Sequence, residues 1–190
     1  MATVTNTFSP NTKIKSASVN TNFTDLTDTR TKSIWLPSGS FIKTEGTPTE
    51  TGVDGLGSFW SMTVTATDEG IGSTLIIPLD WASGDINAYI YWGSNGTVGD
   101  AVLAMRRTSW ITEGAGAFDA GAAEPSIVDT VPGVSRQLKI ASAINLGTPG
   151  GVNYYMAFSV TRKGASASDT LASSLRIAGV RFDYTAYPIY

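Results

Sequence analysis

Ile86-Asn87-Ala88-Tyr89-Ile90-Tyr91-Trp92 reads as a strand with two unlike faces. Side chains alternate across an extended chain, so Ile86, Ala88, Ile90 and Trp92 share one side while Tyr89 and Tyr91 take the other. The same period of two recurs outward from this stretch. Trp60, Met62, Val64 and Ala66 alternate with Ser61, Thr63 and Thr65, and Tyr154, Met156, Phe158 and Val160 alternate cleanly. Leu75–Trp81 is a further run whose Pro78 marks an edge or a bulge. Asp100–Ile111 sets Leu103 and Met105 against Val102 and Ala104. Leu138, Ile140 and Ala143-Ile144 form another stretch, and Leu175–Tyr184 sets Leu175, Ile177 and Gly179 against Ala178, Val180 and Phe182. Ile34-Trp35-Leu36 and Phe41-Ile42 are candidate short strands, followed by a Gly- and Thr-rich loop from Glu45 to Gly57.

Turn chemistry such as Gly93-Ser94-Asn95-Gly96 and Gly147-Thr148-Pro149-Gly150-Gly151 separates these runs, and no helical period of useful length lies between them. A parallel βαβ sheet is thereby excluded. The expected class is all-β: an antiparallel β-sandwich of jelly-roll type, with another Greek-key topology as the alternative. No internal repeat points to a propeller or solenoid.

Composition agrees. The 190 residues include 25 Thr and 20 Gly but only 15% charged residues, against about 25% in average soluble proteins. Hydroxyls rather than ions cover the polar faces. The chain has no Cys and no His, which removes disulfides, thiolate metal sites, the Ser-His-Asp triad and imidazole acid–base chemistry. The net charge of −3 divides unevenly: residues 1–44 carry five basic and two acidic groups, +3, and residues 45–190 carry eight and fourteen, −6. Five scattered cations make no nucleic-acid footprint. No apolar run reaches membrane-spanning length. Met1-Ala2-Thr3-Val4 opens without a leader's basic and apolar regions, so a chain made in the cytoplasm and not exported is expected.

Residues 1–33 read as an arm and residues 34–190 as the sandwich. Ser16 can cap a short helix over about residues 17–28, whose apolar positions Val19, Phe23 and Leu26 form one narrow stripe. Such a helix is marginal alone and must lie either on its own body or on a partner. The closing Tyr184-Thr185-Ala186-Tyr187-Pro188-Ile189-Tyr190 is aromatic rather than polar, so Tyr187 and Tyr190 are candidate docking residues.

Candidate chemistry is sparse. Paired carboxylates of a glycosidase could come from Asp68, Glu69, Glu113, Asp119 or Glu124, but solvated loop acids explain all of these more simply, with Asp68 and Glu69 pointing to opposite sides. No catalytic residue and no cofactor is expected, and no calcium-loop pattern is present, although loop carboxylates and carbonyls leave a calcium ion open. Tyr89, Tyr91 and Tyr155 face away from the aliphatic set and offer either a platform for a sugar ring or a subunit seam.

Phe8-Ser9-Pro10-Asn11-Thr12-Lys13-Ile14-Lys15-Ser16 followed by Val19-Asn20-Thr21-Asn22-Phe23-Thr24-Asp25-Leu26 resembles a segment near the N-termini of tailed-bacteriophage virion proteins. Ile90-Tyr91-Trp92 and Gly179-Val180-Arg181-Phe182 are similar to strands of jelly-roll domains carried on such arms. The resemblance implies a virion protein, a homotrimer whose arm anchors it through Phe8, Ile14, Val19, Phe23 and Leu26 to the major capsid protein or another virion protein. Family members of this kind serve as capsid cement or decoration proteins, head fibres, or short tail-fibre and receptor-binding tips. A 20.0 kDa chain with a short arm, one sandwich and no shaft or repeat suits a cement protein that clamps neighbouring capsid subunits. The alternative is a tail-fibre or receptor-binding tip that takes a host surface glycan, with neither nucleic acid nor membrane as partner.

Overall fold

The computed structural model describes residues 29–52, 57–63, 67–112 and 124–187. They build an antiparallel β-sandwich of jelly-roll type. One sheet contains β1 (Arg30–Pro37), β3 (Thr49–Gly52), β4 (Ser58–Met62), β6 (Trp81–Ser94), β9 (Lys139–Ile140), β10 (Ile144–Asn145) and β12 (Leu175–Ala186). The other orders β2 (Ile42–Glu45), β5 (Glu69–Ile76), β11 (Tyr155–Arg162), β7 (Asp100–Arg107) and β8 (Ser126–Thr130) as β2-β5-β11-β7-β8. In the first sheet β12 is central. It pairs along one side with β6, and along the other with β4 near its start and β1 over the rest.

The alternation in the sequence becomes the inner faces. Ile86, Ala88, Ile90 and Trp92 of β6 are buried against Met156, Phe158 and Val160 of β11 and Leu103 and Met105 of β7 within one core. Each such aliphatic or aromatic side chain contributes about 1.5–3 kcal/mol on burial. Phe158 links the layers, edge-on to Phe182 at 5.1 Å and to Phe41 at 6.0 Å. Trp92 crosses the sandwich: its indole N–H donates to Asp129 Oδ2 of β8 at 2.8 Å, and Lys139 Nζ lies 2.6 Å from Asp129 Oδ1.

Several expectations are corrected. Leu75–Trp81 is not one strand: β5 begins at Glu69 and ends at Ile76, and Pro78 turns the chain, its carbonyl accepting from Trp81 N–H at 3.1 Å. In β12 a register shift between Ile177 and Gly179 inserts an extra residue. The phase flips there, so Leu175 and Ile177 point inward and so do Val180 and Phe182. A strict period of two had placed them on opposite faces. The loop from Glu45 onward carries β3, an edge strand exposed on both faces that therefore shows no apolar alternation. β8 escaped the reading as well. β1 starts at Arg30, so residues 30–33 belong to the sandwich and not to the arm.

Candidate functional site

The outer face of the β1–β12–β6 region is built from three cross-strand rows. Pro37, Gly179 and Tyr91 are in register, then Trp35, Arg181 and Tyr89, then Ser33, Asp183 and Asn87. Their neighbours Val180, Phe182, Ile90 and Trp92 are buried, so period two sends these residues outward. Trp35 is 46% exposed. Its indole lies across β12 where Gly179 has no side chain, and meets Tyr91 edge-on at 4.8 Å and 76°. Ile140 of β9, in register with Tyr91, extends this apolar end of the face.

Arg181 joins the apolar end to a polar one. Its guanidinium sits 4.4 Å above the Tyr89 ring, Nη1 donates to Tyr91 Oη at 3.0 Å and Nη2 to Asp183 Oδ2 at 3.1 Å. Ser33 Oγ donates to Asp183 Oδ1 at 2.6 Å. Ser33, Arg181, Asp183 and the Tyr91 hydroxyl are thus held by one another before any ligand arrives, which limits the ordering entropy that binding would cost.

Beyond this row lies a shallow depression of about 220 Å³ lined by Thr31, Asp85, Asn87, Tyr89, Asp183, Tyr184 and Thr185. A bulge makes it. From Asn87 to Ser83 β6 advances four residues while β12 advances two, from Asp183 to Thr185. Gly84, at φ +80°, takes the left-handed conformation that the bulge needs. Asp85 is thereby turned out to solvent, where Asn145 Nδ2 donates to Oδ2 at 2.7 Å and Thr148 Oγ1 donates to Oδ1. The bonds from Thr148 and then Asn145 hold its carboxyl below the usual carboxylate range.

The structure divides the tyrosine platform read from the sequence. Tyr89 and Tyr91 stand side by side on this face, whereas Tyr155 is on β11, on the outer side of the opposite sheet. Opposite faces of a sandwich cannot hold one ring, so Tyr155 leaves the platform. Tyr187 is exposed just past β12, its N–H donating to the Asp80 carbonyl at 2.7 Å. Phe8, Ile14, Val19, Phe23, Leu26, Tyr190 and the short helix lie outside the described residues. Trp35, Arg181, Asp183 and Asp85 were missed as site residues. The alternation of Thr31, Ser33 and Trp35 with Ile34 and Leu36 was one available signal. A glycine inside the β12 pattern, marking a close approach, was another.

Of the candidate carboxylates, Glu69 is buried, not solvated. Thr63 N–H donates to its Oε2 at 2.5 Å, and Thr63 and Thr47 hydroxyls donate to Oε1 at 2.9 and 3.0 Å. Asp68 and Glu124 lie 2.5 and 3.4 Å from Lys163 Nζ. Glu113 and Asp119 are outside the described residues. Among the described residues no group of three acidic side chains could hold a metal ion. The outer face of the second sheet carries a depression of about 260 Å³ lined by Thr44, Arg106, Arg107, Thr108, Ala157, Phe158 and Ser159.

No protein-family model matches the chain, and no curated protein matches it in sequence. Among solved structures it is similar to a family 35 carbohydrate binding module from Clostridium thermocellum, at 12% identity over 80% of this chain and 97% of that one, with a TM-score of 0.49. It is also similar to the C-terminal CBM6 of LamC, a marine laminarinase from Zobellia galactanivorans, at 10% identity over 80% and 98%, with a TM-score of 0.48. The mosquito-larvicidal Cry4Aa toxin from Bacillus thuringiensis matches at 14% identity over 83% of this chain and 24% of its own, with a TM-score of 0.50, a likeness of fold alone.

Proposed function

We propose that the sandwich is a non-catalytic glycan-binding module, and that its arm attaches it to a phage virion as part of a tail-fibre or receptor-binding tip. The observation that carries the glycan reading is the exposed Trp35 indole, seated over Gly179 against Tyr91 and followed along the sheet by fixed polar groups. A sugar ring has an apolar C–H face and a rim of hydroxyls. An aromatic plane beside pre-ordered Ser33, Asp183 and Asp85, with Asn87 between them, answers both requirements. The non-catalytic reading is supported by the candidate carboxylates among the described residues: Glu69 is buried in hydrogen bonds, and Asp68 and Glu124 face Lys163. The virion reading is supported by the N-terminal segment and, more loosely, by the Ile90–Trp92 and Gly179–Phe182 strands.

A glycan array followed by calorimetry on the best binder tests the module. Trp35→Ala is expected to weaken that binder at least about 10-fold, as loss of a central aromatic anchor does. Equal binding by the variant would remove this face from the reading. A cement role, resting on the same arm, separates by copy number per virion: a fixed ratio to the major capsid protein supports cement, and a count far below it supports a tip.

A further inference from the structure

Resting on the glycan reading, we infer that the face selects neutral glycans and excludes anionic ones, with Asp85 as the residue that sets this selectivity. The depression beside Tyr89 is flanked by two carboxylates, Asp85 and Asp183. Arg181 is the cation in the rows beside the depression, Arg176 lying further along β12 over Phe59, and it is already committed: Nη2 and Nε lie 3.1 and 3.0 Å from Asp183 oxygens. Asp85 is held only by the uncharged donors Asn145 and Thr148. The row therefore has one negative charge left over, in an exposed position at the end of the path that a chain stacked on Trp35 would follow towards Asn87 and Thr185.

Neutral sugars bring hydroxyl donors, which an ionised carboxylate accepts strongly. A uronate or sulfate brings a second anion to the same place and gains no free cation there. At about 8 Å in a mostly aqueous setting one uncompensated charge changes binding about 3-fold, and salt weakens the effect. The hydrogen bonds to Asp85 keep it ionised across the neutral range, so the discrimination is constant there.

The test uses the full chain with matched oligosaccharides, a neutral hexose series beside its uronate and sulfated counterparts, at about 20 mM and about 300 mM salt. Neutral members are expected to bind at least about 3-fold tighter at low salt, with the gap narrowing at high salt. Asp85→Asn is expected to narrow the gap at low salt without added salt. Because wild-type salt dependence reads the same charge, the result does not rest on the variant folding. Anionic members binding as well as neutral ones, or a gap indifferent to salt and to Asp85→Asn, would overturn the selectivity and leave the glycan reading standing. Binding of neither series would overturn the glycan reading and this inference with it.

Discussion

Gly179 and Trp35 share one volume: a Cβ on Gly179 would fall 2.5 Å from Trp35 Cη2, and equally close to the Leu36 carbonyl oxygen. The absence of a side chain on β12 thus seats the indole and lets β1 lie close. Gly179→Ala is expected to lower stability by about 1–3 kcal/mol, as overpacking does, and to change the near-ultraviolet circular dichroism of Trp35. Adding Trp35→Ala should recover part of that loss and not all, because the clash with the Leu36 carbonyl remains. A Gly179→Ala protein as stable as wild type, with unchanged spectra, would mean that the indole sits elsewhere.

Among the described residues Arg162 is the buried cation. Its Nε and Nη2 donate to Asp169 at 3.0 and 2.7 Å, and its remaining N–H groups reach the carbonyls of Ser173, Leu171 and Thr63. Both side chains are nearly inaccessible, at 2% and 3% exposure. The guanidinium thereby ties the segment between β11 and β12 to the sheet. Asp169→Ala strands the charge and should cost about 3–5 kcal/mol in a urea melt. Loss under about 1 kcal/mol would show that water or another acid replaces Asp169.

The sandwich was legible wherever one face is buried and the other solvated, as in β6 and β11, because burial writes period two into the residue types. Where that condition fails less could be read. β3, exposed on both faces, went unseen, while β7 and β12 were read as strands without their inner sides, β7 because it is buried on both faces from Ala101 to Met105 and β12 because it changes phase at its bulge. The site was half legible for the same reason. Tyr89 and Tyr91 stood out as aromatics out of phase with the core. Which sheet Tyr155 joined, and that Trp35 and Arg181 would be in register with Tyr89, are facts of pairing between distant segments, which local pattern does not contain.

At one end of the core, Lys32 Nζ lies 2.6 Å from Asp80 Oδ2 while Tyr184 Oη donates to Asp80 Oδ1 at 3.0 Å. Burial, with the Asp80 carboxylate next to it, pushes the Tyr184 phenol up from 10.0 to about 12. The neutral phenol is the protonated form, so its contribution is complete below pH 10 and disappears as pH rises through about 12. The hydrogen bond from Lys32, and next to it that from Tyr184, hold Asp80 below its ordinary value. Its contribution is therefore present above that value and lost in stronger acid. Between about pH 8 and about pH 11 the stability contributed by the neutral Tyr184 phenol should fall by about 1 kcal/mol. Urea melts of Tyr184→Phe should lack that part of the alkaline loss. A variant with the wild-type pH dependence would assign the loss to another group.

The position of β1 decides where the arm can be cut. Arg30–Pro37 pair in register with Ala186–Gly179, and within the first half of that ladder Lys32 reaches Asp80 and Ser33 reaches Asp183. A chain starting at residue 34 loses the ion pair, the hydroxyl bond to the binding row and half of the β1–β12 ladder. A chain starting at residue 29 keeps all three. The longer fragment should melt within a few degrees of the full chain. The shorter one should fall by roughly 5–10 °C, the shift that about 2–3 kcal/mol produces in a domain of this size. It should also lose glycan affinity, since Ser33 no longer holds Asp183. Equal melting of both fragments would mean that β1 adds little to the sheet, and Trp35 would then be too weakly held to serve as a platform. A large drop already at residue 29 would place the arm in the fold of the body instead of in attachment.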